Sequence, residues 1–255
     1  MYLAACIEWL FASEHPDIAD RIRAAKAAGL DAVEFHLWRD KPLQAIREAL
    51  DETGVRLASF CVDPRRSLVD PAQHEEFLQA LRDSVEAAKL VGAPALIAAA
   101  GFERPDETRE VQRDQMIDVL RKAATIVEAA GLTLLIEPLN TKVDHPGMFL
   151  NRTPEGLDII EAVGSPNVRL LYDMYHSTVM GEDPEEVLQG RLHLVAHIQV
   201  ADAPGRNEPG TGEVDWSRYA QVLRDLGWQG GIGLEYRPTG PTLKTLERAR
   251  TALGL

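Results

Sequence analysis

Four oxygen-bearing side chains end four successive apolar segments in the second half of this 255-residue chain. They are Glu137, Asp173, Gln199 and Glu235, each directly after an isoleucine, a leucine or a tyrosine. Asp and Glu are poor strand formers, and carboxylates that are brought together raise one another's pKa by repulsion. A divalent cation removes that repulsion, and three carboxylates with one amide oxygen suit Mn²⁺, Mg²⁺ or Co²⁺ better than a thiophilic metal. The pattern therefore predicts a divalent metal site that needs no organic cofactor.

The elements that must bring these side chains together form a repeat. Six times the chain runs from an amphipathic helix through a glycine into a short apolar strand, and these glycines are Gly29, Gly54, Gly92, Gly131, Gly164 and Gly227. A glycine just past a helix adopts the left-handed conformation that turns the chain back, and a nearly continuous apolar strand suits a parallel sheet covered on both faces. Two further apolar segments, residues 3–7 and 194–199, bring the expected number of strands to eight.

This repeat predicts an α/β fold of the (β/α)₈ TIM-barrel type, with residues 1–255 as a single domain. The length is close to the ~250 residues typical of such a barrel, and no linker or low-complexity tract divides the chain. A doubly wound open sheet is the alternative. In a barrel the active site lies at the carboxyl ends of the strands, where Glu137, Asp173, Gln199 and Glu235 are expected to meet.

The charge balance excludes two classes of partner. Lys+Arg 27 against Asp+Glu 40 gives a net charge of −13, which repels phosphate backbones and anionic lipids, so we expect a small-molecule partner rather than nucleic acid or membrane. The first residues lack the basic segment of a signal peptide and no apolar run reaches the ~20 residues of a membrane span, so we expect a cytoplasmic protein. Cys6 and Cys61 have no CxxC spacing and no obvious neighbouring base, and we interpret both as small core residues.

The chain resembles the sugar isomerase/epimerase superfamily of xylose isomerase-like TIM barrels, and within it most closely the hydroxypyruvate isomerases. Five stretches carry the resemblance, namely LIEPLNT at 135–141, DMYH at 173–176, HIQVAD at 197–202, PGRNEPGTGE at 204–213 and EYRP at 235–238. The resemblance implies four metal ligands, which are Glu137, Asp173, Gln199 and Glu235. It also implies proton transfer by Glu137 and Glu235, and contacts to substrate from His176 and Arg206.

The activity implied is a metal-dependent aldose–ketose isomerisation. It would interconvert hydroxypyruvate and tartronate semialdehyde, or a similar small hydroxy-ketone and hydroxy-aldehyde, by proton transfer through an enediolate. A ketose 3-epimerase is the first alternative, although that branch generally has His where this chain has Gln199. A dehydratase acting on an inosose or a dehydroshikimate is a further alternative, since a base that removes a proton can also drive loss of hydroxide. Barrels of this superfamily often associate, and the sequence leaves a homo-oligomer open.

Two functions from other classes of protein are disfavoured. One is a metal-dependent DNA phosphodiesterase such as endonuclease IV, which shares this architecture. It would need a basic groove and extra His and carboxylate ligands, and we expect no such ligands from the first four strands. An inactive sugar-binding protein would have no need for two opposed bases, Glu137 and Glu235. For the carboxylate of a substrate such as hydroxypyruvate, Arg206 is the first candidate cation, Arg237 the second and Lys142 the third, because a guanidinium matches a carboxylate in two hydrogen bonds.

Overall fold

The computed structural model describes residues 1–255 and has a closed ring of parallel strands at its centre. The strands are β1 (Tyr2–Cys6), β2 (Ala32–Glu34), β3 (Arg56–Leu57), β4 (Phe60–Cys61), β5 (Ala95–Ala99), β6 (Thr133–Glu137), β7 (Val168–Asp173), β8 (Val195–Val200) and β9 (Gly231–Leu234). Their order in the sheet is β3-β2-β1-β9-β8-β7-β6-β5-β4, and all the pairs are parallel. The predicted TIM barrel is confirmed, and the open doubly wound sheet is wrong.

The structure has nine strands instead of eight because the expected third strand is in two pieces. β3 pairs with β2 through Leu57 and Val33, whereas β4 pairs with β5 through Phe60 and Leu96. Between the two pieces, Ala58 N donates to the carbonyl of Val33 at 2.8 Å. One short segment therefore contacts both of its neighbours and closes the barrel.

Nine α-helices alternate with the strands. They are α1 (Ile18–Ala27), α2 (Leu43–Thr53), α3 (His74–Val91), α4 (Arg109–Ala130), α5 (Thr153–Val163), α6 (Met174–Met180), α7 (Pro184–Leu188), α8 (Trp216–Asp225) and α9 (Thr242–Leu253). The glycine signal is confirmed at α2, which ends at Gly54 with φ of 68°. No helix combines the length and the apolar character that crossing a membrane requires.

Alternation along the strands separates the main core from the lumen of the barrel. The main core lies between strands and helices and includes Leu134 and Leu170. A second small cluster consists of Ile97, Leu135 and Leu171, which lie on the three neighbouring strands β5, β6 and β7. Because side chains two residues apart on a strand point to the same face, the residues two positions beyond Leu135 and Leu171 also face the lumen. These are Glu137 and Asp173, which the apolar layer places at the rim.

Candidate active site

A cavity of about 710 Å³ opens at the carboxyl ends of the strands. Four of the six predicted site residues line it, namely Glu137, His176, Arg206 and Glu235. The other two, Asp173 and Gln199, are each only 3% exposed and do not line the cavity. The strand ends, together with helix α6 and the loop after β8, therefore bring all six residues to one end of the barrel.

Glu137, Asp173 and His176 form one close cluster. Their nearest ligand atoms all lie within 4.8 Å of one another, with His176 Nε2 at 3.7 Å from Glu137 Oε1 and at 3.5 Å from Asp173 Oδ2. Asp173 Oδ1 accepts from Tyr175 N at 2.8 Å and so begins helix α6. The other oxygen, Asp173 Oδ2, is buried without a hydrogen-bond partner. A buried oxygen of this kind normally has a partner, which makes it a candidate metal ligand.

Gln199 is held by a residue that the sequence analysis missed, Glu34 at the end of β2. The Gln199 amide donates to Glu34 Oε1 at 2.7 Å, and His197 Nε2 donates to Glu34 Oε2 at 2.7 Å. Gln199 Oε1 is left buried without a partner. Since the NH₂ group is committed to Glu34, the carbonyl oxygen of the amide is the atom free to bind a cation.

Gly233 leaves the room that this network occupies. A Cβ at position 233 would lie 2.5 Å from Glu34 Oε1 and 2.8 Å from Gln199 Cγ, both closer than atoms can pack. The only sequence signal for Glu34 was an acidic residue ending the second apolar segment, in the same position that singled out Glu137.

Both carboxylate oxygens of Glu235 have hydrogen-bond partners. Its Oε1 accepts from His36 Nε2 at 2.8 Å, and its Oε2 accepts from Arg206 Nη2 at 3.0 Å. Burial by itself would raise the pKa of Glu235, but the charge of Arg206 and the hydrogen bond from His36 lower that pKa to about 2. Glu235 is therefore ionised throughout the neutral range.

Glu137 and Asp173 have the opposite electrostatics. Burial, together with the charges of Glu235 and Asp173, raises the pKa of Glu137 well above its usual value. Burial raises the pKa of Asp173 to about 7, although the charge of Arg206 opposes it. Carboxylates crowded in this way, with unpartnered oxygens on Asp173 and Gln199, fit a hard divalent cation. These donors are therefore chemically suited to a divalent cation.

His176 is a neutral hydrogen-bond donor aimed at this cluster. Asn140 Oδ1 accepts from the backbone N–H groups of Val143 and Asp144, both at 3.0 Å, so the NH₂ group of Asn140 must face His176 Nδ1, 2.6 Å away. The proton of the neutral ring is therefore on Nε2, the atom nearest Glu137. Burial and the charge of Arg206 lower the pKa of His176 to about 3, which keeps the ring neutral.

Arg206 is buried among aromatic rings and carboxylates. Its guanidinium carbon lies 5.0 Å from the ring centres of both Trp9 and Tyr175, and its backbone has φ of 55°, an uncommon value for a residue with a side chain. Its ion pair with Glu235 already satisfies much of its charge. Arg206 is therefore placed to orient Glu235 as well as to contact a ligand.

Two other arginines line the cavity and have no acidic partner. Arg65 and Arg237 are exposed and form no ion pair, whereas Arg66 and Arg104, which also line it, pair with acidic side chains. The third candidate cation, Lys142, donates to the Met180 carbonyl at 3.2 Å and does not line the cavity. Arg65, which sequence reasoning missed, and Arg237 are thus the cations available to an anionic group.

The first two strands bring Cys6, Glu34 and His36 to the rim, although no His or carboxylate was expected there from the first four strands. Cys6 ends β1, and its Sγ lies 3.6 Å from His36 Nε2, just beyond the end of β2. Cys6 is a buried core residue as expected, but it has a basic neighbour that sequence spacing did not reveal. Burial and the charges of Glu235 and Glu34 raise the pKa of its thiol.

Comparison with known proteins defines the class of this barrel. The model of the family described as "Xylose isomerase-like TIM barrel" matches residues 22–253, and the chain belongs to this family. Among similar proteins, 2-oxo-tetronate isomerase of Cupriavidus necator is 34% identical over 92% of this chain and 93% of that protein. Hydroxypyruvate isomerase of Escherichia coli is 27% identical over 89% of this chain and 90% of that protein.

Solved structures show the same architecture. The crystal structure of AP endonuclease, family 2, from Brucella melitensis superposes with a TM-score of 0.89 at 28% identity, covering 96% of this chain and 97% of that one. The apo form of 3-keto-D-glucoside 4-epimerase from E. coli superposes with a TM-score of 0.81 at 22% identity, over 93% and 95% of the two chains. The second likeness is one of fold alone.

Proposed function

We propose that this chain is a divalent-metal-dependent isomerase that moves a proton between adjacent carbons of a small hydroxy-carbonyl acid. The observation that carries the proposal is that two carboxyl groups from different strand ends, Glu137 at the end of β6 and Glu235 after β9, line one cavity, and their pKa values are shifted in opposite directions in the metal-free chain. Glu235 is kept ionised by Arg206 and His36, whereas Glu137 is pushed towards its protonated form. A base and an acid facing one cavity are what a proton transfer through an enediolate requires.

The cation would be held by Glu137, Asp173, Gln199 and Glu235. Mn²⁺, Mg²⁺ and Co²⁺ suit this oxygen set, and no organic cofactor is needed. When bound, such a cation supplies Lewis-acid polarisation of the substrate's neighbouring oxygens. Glu34 would keep the amide oxygen of Gln199, rather than its NH₂ group, available to the cation.

The proton itself is moved by the chain's own residues. The Glu235 carboxylate accepts the proton from the carbon that bears the hydroxyl group, and the electron pair left behind forms the enediolate. Glu137 delivers a proton to the neighbouring carbon while the proton of the hydroxyl group passes to the former carbonyl oxygen, and exchange with water in the open cavity restores both carboxyl groups. The Nε2–H of neutral His176 would donate to the substrate oxygen on which charge develops.

The substrate class follows from the cations at the cavity and from the relatives. Arg65 and Arg237 have no acidic partner and would bind the carboxylate of hydroxypyruvate or of a 2-oxo-tetronate. Two relatives, a 2-oxo-tetronate isomerase and a hydroxypyruvate isomerase, support substrates of this kind.

The test is proton exchange in D₂O followed by NMR, using the protein loaded with Mg²⁺ and a panel from hydroxypyruvate and 2-oxo-tetronate to ketohexoses. We expect metal-dependent deuterium uptake and isomerisation with the short acids, and loss of both in Glu137→Gln and in Glu235→Gln. Uptake at carbon three of a ketose would instead identify a 3-epimerase, and loss of water from a cyclic polyol ketone a dehydratase. Full turnover by both variants with metal bound would refute the mechanism.

A further inference from the structure

Three side chains of three different types meet at the part of the rim that β1, β2 and β9 form. Cys6, His36 and Glu235 follow or end β1, β2 and β9, which are neighbours in the sheet because β1 lies between the other two. Cys6 Sγ is 3.6 Å from His36 Nε2, and His36 Nε2 is 2.8 Å from Glu235 Oε1. All three ligand atoms lie within 4.8 Å of one another. His36 is the only one of the three that is appreciably exposed, with 26% of its side chain accessible.

One of the separations matches that around a tetrahedral cation, and a second is close to it. With Zn–S near ~2.3 Å and Zn–N or Zn–O near ~2.1 Å, tetrahedral angles place sulfur and nitrogen about 3.6 Å apart and nitrogen and oxygen about 3.4 Å apart. The distance between Cys6 and His36 already has the first value. The distance between His36 and Glu235 must open by roughly 0.6 Å, which the replacement of the proton between them by a cation would produce.

The charges around the thiol favour a cation. The carboxylates of Glu235, Glu34 and Glu8 all lie near enough to Cys6 to act on it electrostatically. One sulfur, one imidazole nitrogen and one carboxylate oxygen are the donors that zinc prefers, whereas Mg²⁺ and Mn²⁺ prefer oxygen alone.

We propose that Cys6, His36 and Glu235 form a second metal site, specific for a thiophilic divalent cation of the Zn²⁺ or Cd²⁺ type, which shares only Glu235 with the oxygen-rich site. Binding forms a metal–sulfur bond and breaks the S–H bond of Cys6, whose proton goes to water. His36 binds as the neutral ring through Nε2, with its one proton moved to Nδ1. The fourth position of the cation faces the cavity, which His36 and Glu235 both line.

Occupancy of this site inhibits the isomerase, since it engages the carboxylate that acts as the base. This consequence rests on the proposed role of Glu235, whereas the site itself does not. Zinc at micromolar concentrations is expected to inhibit Mg²⁺-loaded protein, and Cys6→Ser is expected to raise the half-inhibitory zinc concentration at least tenfold. Cys6 has no role in the proton transfer, so the activity of this variant without zinc should stay within twofold of the parent.

The direct test is spectroscopic and independent of turnover. The full chain, with excess Mg²⁺ to occupy the oxygen-rich site, is titrated with Co²⁺ while the near-ultraviolet charge-transfer band of a cobalt–thiolate bond is recorded. We expect one equivalent of Co²⁺ to produce the band, one equivalent of Zn²⁺ to remove it, and Cys6→Ser to lack it. Cys61→Ser is the matched control, because Cys61 is the only other cysteine and should leave the band unchanged.

Several results separate the second site from the proposed function. Absence of the band in the parent, or its persistence in Cys6→Ser, overturns the second site whatever the activity. The band without any proton exchange by the Mg²⁺-loaded protein supports the second site and counts against the isomerase. If Cys6→Ser fails to fold, judged by circular dichroism, Cys6→Ala serves in its place. Asp173→Asn should retain the band, since Asp173 belongs only to the oxygen-rich site.

Discussion

Glu34→Gln is the substitution that most directly tests how the oxygen-rich site is built. Glu34 accepts from Gln199 and from His197, both at 2.7 Å, and with 1% of its surface exposed it has no water to replace either bond. A glutamine at position 34 has one acceptor oxygen for these two donors, so its own NH₂ group must face one of them. The Gln199 amide can resolve this conflict by rotating, which would turn its NH₂ group towards the cation.

The expected loss of metal affinity follows from the hydrogen bond between Glu34 and Gln199, the proposed metal ligand. Loss of a hydrogen-bonding partner of a metal ligand typically weakens metal binding 10–100-fold, which is about 1.4–2.8 kcal/mol. The lost charge-assisted bonds should lower the free energy of unfolding by a further amount on the order of 1–3 kcal/mol. Metal affinity and stability should therefore both fall. The loss of metal affinity should be measurable while the protein is still folded.

The assay is titration of free Mn²⁺ by electron paramagnetic resonance, with urea unfolding of the metal-free protein measured in parallel. Glu208→Gln is the matched control, because Glu208 is also a fully buried carboxylate but accepts from Thr239 and Arg248 instead of from a ligand. The control should lose stability and keep its Mn²⁺ affinity. An unchanged Mn²⁺ affinity in folded Glu34→Gln would refute the argument that Glu34 orients Gln199.

Three further outcomes are expected. Without metal, Asp173→Asn should gain stability relative to the parent as pH rises from about 4 to about 7. The pKa of Asp173 is about 7 in the folded chain, above the ordinary ~3.9 of the unfolded chain. The parent therefore loses stability over that pH range, and the variant does not. Thermal melts in EDTA would contradict this if the gap between the two proteins were constant. Gly233→Ala should weaken Mn²⁺ binding about as much as Glu34→Gln, because its methyl group would displace the same network; equal affinity by the same resonance titration would exclude the crowding. Arg237→Leu should raise KM for carboxylate substrates roughly tenfold with little change in kcat, whereas Arg113→Leu, on the outer helix α4, should change neither in steady-state assays.

The barrel and the residues at its rim could be predicted from the sequence because both depend on local sequence patterns. A helix, a glycine and an apolar strand recur often enough to define the repeat, and a polar residue at a strand end is visible without knowing what lies beside it. Glu137, Asp173, Gln199 and Glu235 were found in this way. The family's motifs then added His176 and Arg206, which the structure places on the cavity.

The partners of those residues were decided by the tertiary structure alone. Glu34 and Gln199 are 165 residues apart, and their contact depends on the strand register and on the missing side chain at Gly233. The same holds for Cys6 and His36, which meet because β1 and β2 pair in parallel with Cys6 opposite Glu34.

The pKa values of the carboxyl groups at the rim also could not be predicted without the fold. By sequence, Glu137 and Glu235 are equivalent glutamates at strand ends, yet one is pushed towards protonation and the other is kept ionised. The difference comes from Arg206 and His36, which follow β8 and β2 and hydrogen-bond directly to Glu235. A pKa depends on distance and burial in three dimensions, so the sequence by itself indicated which groups could transfer a proton, and only the closed barrel set their different pKa values.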